Sequence, residues 1–293
     1  MKKKNCFTNL VFLLIILYFL PVSLLLAQNE TDNPNEINFN SYGDNIHGWF
    51  YKAKAKEFSS TVILLHGYCG KDYLIFELAH TLAEAGFNVL TFSYSGTWSS
   101  KGIWSPETSL KNVNSAIDFL KLDQTIKKYS IDTSNISLIG NSYGGGLALL
   151  GSLYDNSVRK VCSIAGADLS VWATMYEQDL DFRRLHERIL DRCMSDTSRS
   201  RGPGGKASYE WLLQHKEEYN LKNFADKLAK KDILLFGGWL DSGVTIEDHI
   251  LPLYRSLQKQ GAANLEIHML NDDHELRKVR TDINSKIISW LKK

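Results

Sequence analysis

The chain carries almost no net charge. Its 293 residues hold 34 Lys+Arg against 33 Asp+Glu, a formal balance of +1. A nucleic-acid binder needs a strongly basic surface, so that class is set aside. Cysteine is scarce, with four in all. Cys6 stands too near the start to be a lipobox residue, and loss of a leader would leave Cys69, Cys162 and Cys193. An odd count argues against a disulfide framework, with a Cys69–Cys193 pair left open. Cys162, within the apolar stretch Val158 to Ala165, reads as a buried free thiol. Internal repeats are missing. The densest run of metal-type side chains, Asp272-Asp273-His274-Glu275, has no spaced second ligand pair, so a metal site is not expected.

Long apolar runs are also absent, apart from one at the N-terminus. Met1-Lys2-Lys3-Lys4 precedes a run from Leu10 that Pro21 interrupts and that ends at Ala27. A basic start, an apolar stretch and Leu25-Leu26-Ala27 together form an imperfect secretory signal. The same run is about long enough to span a bilayer. Residues 1–27 are therefore read as a signal peptide, with an uncleaved anchor as the alternative. Either reading puts the remainder outside the cytoplasm, in the periplasm or the extracellular space. Residues 28–40 are polar and read as a flexible lead, with one domain over 41–293.

Within the domain, Ile37–Tyr42 and Ile46–Lys52 are expected to form a hairpin around Gly43-Asp44-Asn45. From Thr61 onward apolar strands alternate with helical segments, the pattern of βαβ units and a parallel sheet. Helices are expected at Tyr73–Ala85, Pro106–Leu122, Gly144–Tyr154, His249–Gln260 and Lys278–Leu291. Ser105 followed by Pro106 is a good N-terminal cap for the second of these. Ser170 to about Lys231 breaks the rhythm and reads as a helical cap over residues 170–231. Its expected helices are Trp172–Met194 and Tyr209–Tyr219, joined by a mobile Gly/Ser-rich separator over Ser195–Ala207.

The most informative stretch is Gly140-Asn141-Ser142-Tyr143-Gly144-Gly145. It follows the apolar strand Asn135–Ile139 and leads into the helix-forming Leu147–Leu150. Strand, sharp turn and helix with serine at the apex is the context of a nucleophile elbow. Residues without a Cβ leave room for that turn. A serine hydroxyl needs a base to take its proton and an acid to orient the base. Asp232–Asp241 is a strand ending in an aspartate, and Leu265–Leu270 is a strand followed shortly by His274. Ser142, Asp241 and His274 thus stand in the order nucleophile, acid, base, the last two just beyond strand C-termini. Asp272 and Asp273 compete as the acid, but a residue adjacent to His274 projects away from it. His268 alternates with apolar neighbours, and His66 and His249 read as structural. Cys69 is set aside as nucleophile because Ser142 has the elbow. Thr61–Leu65 runs into His66-Gly67-Tyr68-Cys69-Gly70, a loop suited to supply an oxyanion-hole amide. The expected donors are the N–H groups of Tyr68 and Tyr143.

In the cap segment, Arg183, Arg184, Arg188, Arg192, Arg199 and Arg201 crowd together. One reading is recognition of a carboxylate or phosphate on the substrate. The other is a solvated face balanced by Asp179, Asp181, Glu187, Asp191 and Asp196. Trp172, Tyr176 and Trp211 are candidates either for lining an acyl pocket or for packing the cap.

On His66-Gly67, the segment Phe92–Gly102, the elbow with Gly145, Asp241 and His274, the chain resembles the α/β-hydrolase superfamily across most of its length. More narrowly, it is similar to single-domain bacterial hydrolases related to the catalytic module of the prolyl oligopeptidase family. The resemblance implies an eight-stranded, mostly parallel sheet with helices on both faces, hydrolysis through an acyl-enzyme, and no cofactor. Unlike in the oligopeptidases, no propeller domain is expected before the module, so filtering of substrates by peptide length is not implied. The expected substrate is a small ester or a short peptide. The reading from another class is a binding protein that keeps the fold without turnover.

Overall fold

Side-chain alternation along the strands builds two cores, one on each face of the sheet. Ile63 and Leu65 point into one and Val62 and Leu64 into the other; Leu235 and Leu234 divide in the same way. Period-two alternation with both faces apolar is what a strand covered by helices on two sides requires. The computed structural model describes residues 34–54, 58–68 and 73–293. The signal or anchor segment, most of the polar lead, Cys6 and Cys69 lie outside these residues. Among the described residues no helix is long and apolar enough to cross a membrane.

In chain order the elements are β1 (Asn35–Ser41), β2 (Asp44–Tyr51), β3 (Ser59–Leu65), α1 (Tyr73–Glu84), β4 (Asn88–Phe92), α2 (Pro106–Leu120), α3 (Asp123–Tyr129), β5 (Ile131–Asn141), α4 (Tyr143–Gly151) and β6 (Val158–Ile164). The cap follows as α5 (Leu169–Gln178), α6 (Leu180–Ser195), α7 (Gly205–Gln214) and α8 (Ala225–Leu228). Then come β7 (Asp232–Gly238), α9 (Leu251–Lys259), β8 (Leu265–Leu270) and α10 (Arg280–Leu291). The eight strands form one sheet in the order β1-β2-β4-β3-β5-β6-β7-β8. β2 runs antiparallel to β4, and every pairing from β4 through β8 is parallel. The C-terminal ends of β3, β5, β7 and β8 therefore share one edge, where the candidate residues collect.

Helices cover the sheet through apolar stripes. Ile75, Leu78 and Leu82 of α1 meet Ile283, Ile287 and Trp290 of α10 in one core. Val113, Ile117 and Leu120 of α2 join the other. Spacings of three and four residues place each set on a single helix face. Full burial of each Leu or Ile contributes about 1.5–3 kcal/mol. Ser105 caps α2 with a reciprocal capping box to Thr108, and Pro106 opens the helix. β1 starts at Asn35, inside the stretch read as a flexible lead, and the hairpin turn is shorter than expected. Tyr42 and Gly43, with φ 52° and 98°, close it in two residues.

The cap departs further from expectation. The helix expected over Trp172–Met194 is two helices broken at Asp179. Asp179 leaves helical geometry (φ −118°, ψ 113°), and its carboxylate accepts the N–H groups of Asp181 and Phe182 as the cap of α6. The separator is not free: Trp98 N–H donates to Arg199 O (2.8 Å), Arg201 N–H to Gly96 O (2.7 Å) and Trp104 N–H to Arg201 O (2.7 Å). Cys162 is a buried free thiol, as its apolar strand suggests. Cys193 is disulfide-bonded, an outcome that the odd cysteine count disfavoured but left open.

Candidate active site

β5 delivers Ser142 through a backbone conformation rare for a side-chain-bearing residue. Ser142 has φ 54° and ψ −121°. Such a conformation costs on the order of 1–3 kcal/mol and persists only where its surroundings over-determine it. Here Ser142 N–H donates to Ile164 O (2.8 Å), while Ser142 O accepts the N–H groups of Gly145 (2.9 Å) and Ala167 (3.0 Å). The glycines make the turn sterically feasible. A Cβ on Gly140 would lie 2.0 Å from Gly144 O, and one on Gly144 would lie 2.3 Å from Leu65 O.

Two loops carry the partners, and backbone bonds lock them together. Trp239 N–H donates to Leu270 O (2.8 Å) and Leu240 N–H to Asp272 O (3.0 Å). This brings Asp241, after β7, against His274, after β8. His274 Nδ1 lies 2.6 Å from Asp241 Oδ2, and His274 Nε2 lies 2.9 Å from Ser142 Oγ. An ionised carboxylate only accepts, so Nδ1 carries the proton and Nε2 accepts from the serine hydroxyl. Asp241 Oδ1 accepts the N–H groups of Gly243 and Val244, both at 2.8 Å. The Asp241 side chain is fully buried, whereas that of His274 is 32% exposed and open to a reacting partner. Both Asp241 oxygens are thereby assigned, one to hold the residue and one to orient the imidazole.

The competing residues are occupied elsewhere. Asp272 Oδ2 accepts Lys278 N–H (2.8 Å) and its Oδ1 accepts Asp273 N–H (3.0 Å). Asp273 Oδ1 accepts Glu275 N–H (3.0 Å). These carboxylates shape the turn that presents His274. Among the described residues no group of three or more His, Cys, Asp or Glu is placed to hold a metal ion. His268 sits in β8, its ring stacked on Phe236 at 5.3 Å. His66 is buried, with Nδ1 2.8 Å from Gly67 O. His249 is buried too, and burial pushes its imidazole down to about 4, so it stays neutral. Its Nδ1 accepts Asp168 N–H at 3.1 Å. Asp168 in turn accepts the N–H groups of Ser170 (2.9 Å) and Leu221 (3.2 Å), tying both ends of the cap to one carboxylate.

Tyr143 opens α4, where the first N–H groups of a helix lack intrahelical acceptors. Tyr68 follows β3, and its ring stacks on that of Tyr143 (centroids 4.7 Å apart, planes at 19°). The two expected oxyanion residues therefore lie side by side. Trp172 of α5 also stacks on Tyr68, with ring centroids 5.2 Å apart and planes at 15°, and its Nε1–H donates to Gly243 O (3.0 Å). Of the aromatic cap candidates, Trp172 thus reaches the site. Tyr176 stacks on Tyr209 and Trp211 on His215, inside the cap.

The six arginines separate into two groups. Arg183 donates to Tyr176 O and Glu177 O, Arg199 pairs with Asp196 (2.9 Å), and Arg201 donates to Ser100 O. These three hold the cap and its separator in place. Arg184, Arg188 and Arg192 are exposed on α6. The acids expected to balance them are partly used inside the cap: Glu187 accepts from Tyr176 OH, and Asp191 accepts Gly205 N–H (2.7 Å).

Sequence reading missed the Gly243 and Val244 amides, although Asp followed by Ser-Gly signals an Asx-type turn. It also missed Asp168, whose capping of α5 is a local signal but whose bond to Leu221 is not.

An eight-stranded sheet with a strained serine after β5 and a buried acid after β7 paired with a histidine after β8 defines a hydrolase-type α/β architecture. Residues 60–245, more than half of the chain, match the family model for the alpha/beta hydrolase fold, and the chain belongs to that family. An Escherichia coli protein described as an uncharacterized 31.7 kDa protein in the traX-finO intergenic region is 31% identical over 125 residues. That match covers 40% of this chain and 42% of the relative, less than half of its length. Among solved structures, a Pyrococcus furiosus esterase superposes with TM-score 0.65 at 18% identity, covering 89% of this chain and 91% of the esterase. A Pyrococcus horikoshii acylaminoacyl peptidase superposes with TM-score 0.63 at 16% identity, covering 92% of this chain and 43% of the peptidase. Likeness at these identities speaks to the fold.

Proposed function

We propose that this chain is an exported serine hydrolase that cleaves an ester or amide bond through an acyl-enzyme. The observation that carries the reading is the unbroken hydrogen-bond chain from Ser142 Oγ through His274 to the buried Asp241. Ser142 Oγ attacks the substrate carbonyl carbon while His274 Nε2 takes its proton. The imidazolium is stabilised by Asp241, which stays ionised. The tetrahedral oxyanion is held by the Tyr68 and Tyr143 amides. His274 then gives its proton to the departing alcohol or amine, leaving the acyl group on Ser142. Water, activated by the same imidazole, attacks that ester and regenerates the serine. Export rests on the basic start and the apolar run from Leu10 to Ala27. The substrate is a small ester or short peptide, in keeping with solved structures of similar fold that include an esterase and a peptidase.

The test is intact mass after treatment with a fluorophosphonate, beside Ser142→Ala. One adduct on the parent and none on the variant is expected. An unlabelled, folded parent would return the chain to the class of binding proteins. A panel of p-nitrophenyl esters and aminoacyl amides then separates esterase from peptidase.

A further inference from the structure

Side chains from all three long helices of the cap link to Tyr68, two directly and the third through Tyr209. Trp172 of α5 stacks on its ring at 5.2 Å. The Tyr68 hydroxyl is hydrogen-bonded to Tyr209 of α7. Tyr209 OH lies 2.6 Å from His186 Nδ1 of α6. A hydroxyl has one proton to give and lone pairs to receive, so Tyr209 can make both bonds at once. The surroundings hold these groups tightly. Tyr209 is 1% exposed and stacks almost flat on Tyr176 (4.4 Å, 4°), and His186 lies on Phe182 at 3.8 Å and against Trp172 at 5.4 Å. Burial pushes the His186 imidazole down to about 4, so it takes part as a neutral ring.

We infer that Tyr209 and His186 are positioning residues that act through the Tyr68 hydroxyl to set where the Tyr68 N–H points. The cap thereby completes the oxyanion site as well as covering it. This rests on the proposed hydrolase reading and on Tyr68 as one of its two donors. The physical ground is the geometric demand on such a donor: it stabilises the transition state only when already aimed at the developing oxygen. Tyr68 follows Gly67, whose backbone permits many directions, so an anchor at the far end of its side chain restricts the amide. Tyr143 needs no such anchor, because α4 fixes its N–H.

The test compares Tyr209→Phe, Tyr68→Phe and the double variant of the full chain on p-nitrophenyl acetate, with Ser142→Ala alongside. Each tyrosine substitution removes one oxygen and leaves the ring stack intact. Weakening one hydrogen bond should lower kcat about 3–10-fold with KM changed less than twofold, well short of the 10²–10³ seen when such a donor is deleted. Both substitutions cut the Tyr68–Tyr209 link, and Tyr209→Phe also cuts the bond to His186, so the double variant should lose no more than Tyr209→Phe alone. Parent-like kcat in a folded Tyr209→Phe, a loss confined to KM, or losses that multiply would each overturn the inference while leaving the hydrolase reading intact. Turnover retained by Ser142→Ala would sink that reading and this inference together.

Discussion

Replacing Asp241 by Asn tests the site at its most constrained point. The carboxylate is fully buried, and Oδ1 accepts two amide N–H groups at 2.8 Å. An asparagine there must keep its carbonyl oxygen toward Gly243 and Val244, since turning its NH₂ to them would set donor against donor. The NH₂ then faces His274 Nδ1 at the position of the present 2.6 Å contact. A donor at that place forces Nδ1 to become an acceptor and moves the imidazole proton to Nε2. That nitrogen lies 2.9 Å from Ser142 Oγ and, once protonated, can no longer take the serine proton. The residue changes by one atom, the packing is kept, and the base is disabled by tautomer alone. Loss of a correctly oriented base in this arrangement lowers kcat on the order of 10⁴-fold, about 5.5 kcal/mol of barrier. The assay is p-nitrophenyl ester hydrolysis at pH 7.5, with circular dichroism to verify folding. Activity within tenfold of the parent would refute the assignment of Asp241 and, with it, the tautomer argument.

Two further outcomes follow from the strained serine and the buried histidines. Ser142→Gly and Ser142→Ala both lose turnover and the bond to His274, but only glycine relieves φ 54°. Ser142→Gly should therefore melt about 2–6 °C above Ser142→Ala, from about 1–2 kcal/mol of released strain; equal melting temperatures would remove the case for strain. His186 and His249 both sit near 4 in the folded chain against an ordinary 6.5, because burial disfavours the imidazolium. The unfolded chain then binds more protons than the folded one between about pH 6.5 and 4. Stability is full above 6.5 and falls as the pH drops through that window, by up to about 3 kcal/mol for each histidine. Urea denaturation of the parent and His249→Gln at pH 7 and pH 4.5 checks this: the variant should lose less stability on acidification, and an identical loss in both would exclude His249 as a contributor.

How much of this was legible in the chain follows from the range over which each feature is decided. The elbow, the capped start of α2 and the alternation of β3 and β7 are local. A tight turn needs its own glycines, a helix end needs its own cap, and a strand buried on both faces needs an apolar residue at every position. Such demands are met by neighbours in sequence and can be read from them. The order Ser142, Asp241, His274 was equally readable, because successive strands of a parallel sheet deliver their C-terminal ends to one edge. What the chain could not reveal are contacts between distant side chains. Chain order put Asp241 forward, but the backbone bonds between the turns after β7 and β8 that hold it against His274 are visible only in the fold. The break at Asp179 passes unnoticed in a run of helix-forming residues until its carboxylate is found capping α6. Charges cannot be sorted by counting either, since Arg183, Arg199 and Arg201 find their acceptors through the folding of the cap. The reach of Tyr209 and His186 to Tyr68 joins segments more than a hundred residues apart, and nothing near any of the three announces the other two. Local sterics and hydrogen bonding are written in short stretches of sequence. Which buried polar groups pair is settled when the cap packs onto the sheet, because only then does each lose water and need a partner.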